Sequence, residues 1–264
     1  MNRGIIYYLV ASKRNAVAIV SLWALRKFFT GNVHVLTSAE HDWDIVSRRI
    51  VEDERLGLSI SHVPVVPVRR HAVNVTKTWL HRYSPFEETI FLDADTIPIK
   101  HFGELWPLAN EMVLTQFANW VSTGSKIKSR VNWWAGLRPA LVSKSLANND
   151  EAVNTGVFAF AKATKMLEPW HQITLAGAKT FIPDEIAAQL IYKDYHHRLL
   201  DDRFNCSPHY GVNVGDVRIW HCHGGKHLRP RTEKLWRGLF KECWDNNVGF
   251  IKEWISDEDR RLYV

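Results

Sequence analysis

Phe91-Leu-Asp-Ala-Asp-Thr-Ile-Pro-Ile-Lys100 decides how this chain is read. An apolar run from Thr89 to Leu92 leads straight into Asp93 and Asp95, with Ala94 between them, and Pro98 stops it. A buried strand that ends in two carboxylates one residue apart carries both to the carboxyl edge of a sheet. There the pair either holds a divalent cation that in turn holds a diphosphate, or only forms the turn after the strand.

Outward from that stretch, residues 5–10 and 33–36 read as strands, and 15–29 and 43–55 as helices. Residues 63–68 are apolar but carry two prolines, which fits an edge strand at most. Further on, 76–83 reads as helix, 112–117 and 154–160 as strands, and 165–179 and 184–196 as helices. A late strand at 217–221 precedes a helical pattern at 232–244. Strands alternating with helices through the first half imply an α/β chain with a largely parallel, doubly wound sheet. Ligands of such sheets bind beyond the carboxyl ends of the strands, where Asp93 and Asp95 fall. The first strand–helix turn, Ala11-Ser-Lys-Arg-Asn15, lacks the glycine fingerprint of nicotinamide and flavin domains, and the chain has no Walker lysine loop.

The 264 residues, 46% of them hydrophobic, are enough for a full core, and no linker or repeat divides them. The net charge of +6 suits an anionic ligand or surface, while no nucleic-acid-binding pattern is present. The longest hydrophobic run, 16–25, is too short to span a bilayer. The first ten residues enter a strand-like run without a signal-peptide cleavage pattern, and three unpaired-looking cysteines fit reduced thiols. The expected setting is therefore cytoplasmic.

Four blocks, in order, resemble the GT-A-fold glycosyltransferases of the glycogenin and bacterial lipooligosaccharide galactosyltransferase group. They are Thr76-Lys-Thr-Trp-Leu80 followed by Thr89–Thr96; Asn154-Thr-Gly-Val-Phe158; Pro183-Asp-Glu185; and Ile219-Trp-His221 with Gly224 and Lys226. The resemblance implies a mixed, mainly parallel sheet flanked by helices, with residues 1–228 as the GT-A domain and 229–264 as a helical extension. It implies transfer of a sugar from a nucleotide-diphospho-sugar, UDP-linked for choice, to a glycan or glycolipid hydroxyl, with Mn²⁺ or Mg²⁺ as cofactor. In that likeness Asp93, Asp95 and His221 bind the metal, with His223 as the competing ligand because the spacing to Lys226 is compressed. Ala94, Lys77, Asn154 and Lys226 belong to the donor site. Tyr8, Val10, Ala11 and Ser12 would form the base-binding edge by position alone. Asp184 would bind sugar hydroxyls, or else cap its helix. Glu185 stands where the family carries a glutamine; a carboxylate there can stabilise an oxocarbenium-like centre, act as nucleophile or act as base. Retention is narrowly favoured.

Two stretches stay open to two readings each. Between Phe117 and Leu141 the chain is aromatic and basic (Trp120, Lys126, Lys128, Arg130, Trp133, Trp134, Arg138), which fits an acceptor loop or ordinary core. Near the C-terminus, Leu235, Trp236, Leu239, Phe240, Cys243 and Trp244 share one helical face, opposite Lys234, Arg237 and Lys241. That face either docks on an anionic membrane, peripherally on its inner side, or packs on the core. A sugar-phosphate nucleotidyltransferase and a non-catalytic nucleotide-sugar or glycan-binding module are the rival functions.

Overall fold

The computed structural model describes residues 2–9, 15–38, 43–68, 71–121, 124–223, 226–255 and 260–261; at 15, 43–45, 119–121, 125–127 and 226 it describes backbone only. The elements run β1 (Arg3–Leu9), α1 (Asn15–Arg26), β2 (Asn32–Thr37), α2 (Trp43–Val51), β3 (Leu58–His62), α3 (Ala72–Lys77), β4 (Glu88–Leu92) and β5 (Thr96–Pro98). Then come β6 (Met112–Val121), α4 (Ser125–Asn132), α5 (Pro139–Ala147), β7 (Glu151–Ala161), α6 (Leu167–Ala176) and α7 (Pro183–Ile191). The chain closes with β8 (His197–Leu200), β9 (Ile219–His221), α8 (Glu233–Asp245) and α9 (Ile251–Trp254).

Seven strands form one sheet in the order β3-β2-β1-β4-β7-β6-β8. The strands β3, β2, β1 and β4 run parallel to one another; β7 is antiparallel to both β4 and β6, and β8 is parallel to β6. The sheet is thus mixed but mainly parallel, as expected. Along β1 the pleat sends Ile5, Tyr7 and Leu9 into one core and Ile6 and Tyr8 into the other. With both faces covered, β4 is buried continuously from Thr89 to Leu92 rather than at every second residue. One core packs against α1 and α8; the other holds Trp134, Trp170 and the stacked pair Phe91 and Phe158, whose rings lie 4.7 Å apart.

Several expected elements are corrected. The edge strand is β3, Leu58–His62, and residues 63–68 form no strand. Polar Ser59 and Ser61 hid it: their hydroxyls bond to the two ring nitrogens of His34 on β2, at 2.7 and 2.8 Å. The helix expected at 184–196 ends at Ile191, and β8 follows after one 3₁₀ turn. The helix expected at 76–83 is split between α3, which ends at Lys77, and a 3₁₀ turn at Leu80–Arg82.

The C-terminal apolar face belongs to the core. Trp236, Phe240 and Cys243 of α8 are fully buried in the same cluster as Ile5 and Leu22, so this face is not available to a membrane. Trp236→Ala is expected to lower stability by about 3–5 kcal/mol, read by denaturant unfolding. A loss under about 1 kcal/mol would mean that α8 is a loosely held appendage. Among the described residues no helix is long and apolar enough to cross a membrane. Cys206, Cys222 and Cys243 are all buried free thiols, and burial pushes Cys206 up to about 12.

Candidate functional site

The strand β4 ends at Leu92, and the Asp93 amide donates to the Gly156 carbonyl of β7 at 2.8 Å. That bond and the Asp93 carbonyl, which accepts the Thr96 amide and hydroxyl, lock the acid turn against the sheet. The small ladder of β5 with β9 then sets Thr96 opposite His221. Cys222, just after β9, donates its amide to the Asp95 carbonyl at 2.8 Å. A strand from the far end of the chain thereby brings an imidazole to the two acids.

His221 Nε2 lies 3.2 Å from Asp95 Oδ1 and 3.6 Å from Asp93 Oδ2. One donor atom from each of the three residues lies within 4.8 Å of the others, close enough for one ion. Gly156 makes room for the ring: a Cβ there would lie 2.8 Å from His221 Nε2 and closer still to Cε1 and Nδ1. His223, the competing candidate, is not part of this converging group and bonds Ser207 Oγ through Nε2 at 2.9 Å. Its ring faces Tyr210 in a stacked arrangement.

Lys77, at the end of α3, is buried, and its Nζ lies 3.0 Å from the Asp93 carboxylate and 3.6 Å from Asp184. Burial alone would depress this amine, but Asp93 and then Asp184 outweigh it and hold its pKa above the ordinary lysine value. Burial likewise pushes the Asp93 carboxyl up to about 6, against the pull of Lys77 and His221. For His221, burial is outweighed by Asp95, with Asp93 behind it, and the imidazole stays above its usual range.

The first turn of α7 carries Asp184 and Glu185, where the helix dipole favours negative charge. The N-cap position is Ile182, so Asp184 does not cap the helix. Instead its two oxygens accept from Asn74 Nδ2 at 2.9 Å and Thr155 Oγ1 at 2.6 Å. Ile182 is held at φ 39°, ψ 62°, in the left-handed region. A β-branched residue before proline resists that conformation, at a cost of about 1–3 kcal/mol. This strained corner turns Glu185 into a cleft of about 410 Å³ lined by Phe117, Arg130, Asn154, Glu185, Tyr210 and His223, with Phe181 and Ile182 at its side. Asn154 is buried at the cleft wall; its Oδ1 accepts the Gly156 amide at 2.8 Å and Asn205 Nδ2 at 3.0 Å.

The structure therefore brings Asp93, Asp95, His221, Lys77 and Asp184 together, with Asn154 and Glu185 in the adjoining cleft. Ala94 lies between the acids, half-buried against the core. Tyr8 is buried at the end of β1. Val10, Ala11, Ser12, Gly224 and Gly225, and the side chains of Lys226, Trp120 and Lys126, lie outside the described residues. Sequence reading did not single out Asn74, Thr155, Asn205, Ser207 or Tyr210. Asn74 had a signal, since it stands three residues before Lys77 and shares its helix face. Asn205 and Tyr210 had none, because only the path of the loop before β9 brings them to the cleft.

No protein-family model and no curated protein matches this sequence. Solved structures do match. The galactosyltransferase LgtC in complex with donor and acceptor sugar analogs aligns with TM-score 0.59 and 13% identity over 97% of this chain and 98% of its own. An active-site glutamine-to-glutamate mutant of LgtC aligns with TM-score 0.58 and 13% identity, covering 92% of this chain and 95% of that one. The apo bifunctional glycosyltransferase WbbM aligns with TM-score 0.60 and 13% identity over 84% of this chain but 46% of its own. At such identity the likeness is one of fold, and the fold is GT-A.

Proposed function

We propose that this chain is a metal-dependent glycosyltransferase. It moves a sugar from a nucleotide-diphosphate donor, UDP-linked for choice, to a hydroxyl of a glycan or glycolipid, with retention the favoured outcome. The observation that carries the reading is the convergence of Asp93, Asp95 and His221 on one point, beside buried Lys77 and the cleft that holds Glu185. A GT-A neighbour solved with donor and acceptor sugar analogs supports a two-substrate site.

Two carboxylates and an imidazole fit Mn²⁺ or Mg²⁺, which would leave positions open for phosphate oxygens. When bound, the ion neutralises charge on the leaving diphosphate as a Lewis acid. The protein's own residues do the rest. Asp93, Asp95 and His221 supply the ligands, and we take His221 over His223 because its Nε2 faces both acids. Lys77 holds a fixed positive charge beside them, where negative charge builds up as the donor breaks. Asp184, anchored by Asn74 and Thr155, keeps Lys77 in place and is assigned to the donor-sugar hydroxyls. Lys226 is assigned to the diphosphate, and Tyr8 with residues 10–12 to the base. Glu185 lines the cleft as the carboxylate nearest the reacting carbon. Residues 1–228 form the transferase domain, and 229–264 are the helical extension. The setting is cytoplasmic; for peripheral membrane contact α8 has its basic face to offer, since its apolar face is buried.

Metal binding requires Asp93 ionised and His221 neutral. Both groups are raised in the metal-free protein, Asp93 to about 6, so lowering the pH protonates ligand atoms and weakens the ion. Mn²⁺ affinity is expected to fall about tenfold per pH unit below about pH 6 through the Asp93 proton alone, and the proton on His221 adds to that fall. Calorimetry in two buffers of different ionisation heat reads the protons released. An affinity that is flat from about pH 5 to 7.5 would remove these ligands from consideration.

The function itself is tested with a panel of UDP- and GDP-linked sugars, with and without Mn²⁺, scored for slow donor hydrolysis. Metal-dependent release of one nucleotide diphosphate is the expected result. Silence across the panel, with no metal-dependent thermal shift from any nucleotide diphosphate, would overturn it in favour of a binding module. Pyrophosphate release from a nucleoside triphosphate and a sugar phosphate would point to a nucleotidyltransferase.

A further inference from the structure

From the aromatic and basic stretch around α4, one side chain reaches the cleft as a charge. Arg130 Nη2 donates to Glu185 Oε2 in a close ion pair, and its guanidinium carbon lies 5.0 Å from the centre of the Phe117 ring. The pair is shielded: the Arg130 side chain is 11% exposed and that of Glu185 18%. Arg130 Nε and Nη1 are buried and hydrogen-bond to none of the described residues, so Glu185 and the Phe117 face are what hold the cation. Glu185 Oε1 has no hydrogen bond from the described residues and is the oxygen left for the cleft.

The local charge explains why such a partner is needed. Asp93 and Asp184 already flank Lys77, Asp95 stands beside Asp93 at His221, and Glu185 is close enough to act on the Lys77 amine as well. A fourth carboxylate, next to a diphosphate, would be repelled without a cation of its own. A neutral amide at the same place would need none. We propose that Arg130 is the positioning residue of Glu185. It pins one carboxylate oxygen to α4 and leaves the other facing the cleft. This rests on the glycosyltransferase reading for its activity readout.

The test is a double-mutant cycle with Arg130→Gln, Arg130→Lys, Glu185→Gln and the Arg130→Gln/Glu185→Gln double variant. The kcat and KM for the donor are determined separately, and melting temperature is recorded alongside. Arg130→Gln is expected to lower kcat on the order of 10²-fold, as a misplaced reacting group does. The donor KM should change by less than about threefold, because what is lost is the placement of the reacting group and not donor binding. Arg130→Lys should recover part of the kcat. In the double variant, losing Arg130 should cost nothing beyond Glu185→Gln alone.

Effects that simply multiply in the double variant, or an Arg130→Gln enzyme whose loss lies in KM with kcat unchanged, would overturn the inference while leaving the transferase reading intact. If Glu185→Gln leaves no measurable turnover, the split between kcat and KM in Arg130→Gln and the recovery of kcat in Arg130→Lys decide. A wild type silent on every donor overturns the catalytic assignment and the transferase reading together, whatever coupling the melting temperatures show.

Discussion

Asp95→Asn is expected to remove metal binding and to lower donor turnover on the order of 10³-fold, with the fold intact. The side chain keeps its shape, and its remaining oxygen can still meet His221 Nε2, now 3.2 Å from Asp95 Oδ1. What is lost is one negative charge of the three-ligand set. Its removal also takes away the largest influence holding His221 up, and one of those raising Asp93. The His221 imidazole should therefore titrate at lower pH in the variant, a shift visible in proton NMR without any metal or substrate. Wild-type, metal-dependent turnover in Asp95→Asn would sink the site assignment; an unmoved His221 titration would sink the geometry behind it.

Gly156→Ala is expected to disable the same centre without touching a ligand. The added Cβ would overlap the His221 ring on three atoms. The strand cannot easily retreat, since the Gly156 carbonyl accepts the Asp93 amide and its own amide is held by Asn154. The ring must swing away, or β7 must part from the acid turn. We expect a stability loss of about 1–3 kcal/mol from overpacking. Turnover should fall on the order of 10²-fold or more through the displaced ligand. Adding His221→Ala should restore much of the stability, because the new methyl then occupies space the ring vacates, but none of the activity. Normal Mn²⁺ affinity in Gly156→Ala would show that the ring does not need this space.

The parts of the fold legible in sequence were those written in adjacent residues. Strand β4 announces itself through an unbroken apolar run closed by acids and a proline, because a strand buried on both faces has no polar side to show. The turn into α7 is similarly marked by Pro183, and His221 by its place after Ile219 and Trp220. Where local pattern and tertiary pairing disagreed, the reading failed. The serines of β3 bond a histidine of β2, and residues 63–68 are apolar without a strand to join. The β8 strand follows α7 with no breaker strong enough to separate them by eye. The three-residue β5 is a strand only because β9 lies beside it.

The candidate site divides along the same line. Residue types in their order, Asp93, Asp95, Lys77, Asp184 and His221, were enough to suggest the chemistry, since each sits at the end of a recognisable element. Which oxygens face which cation was decided by folding. The Arg130–Glu185 pair joins positions 55 residues apart, and Asn205 meets Thr115 across 90. A chain's sequence records its local preferences directly, because steric limits and hydrophobic periodicity act over a few residues. The balance of charges in a closed cleft depends on distances between elements far apart in the chain, and those exist only once the sheet has assembled.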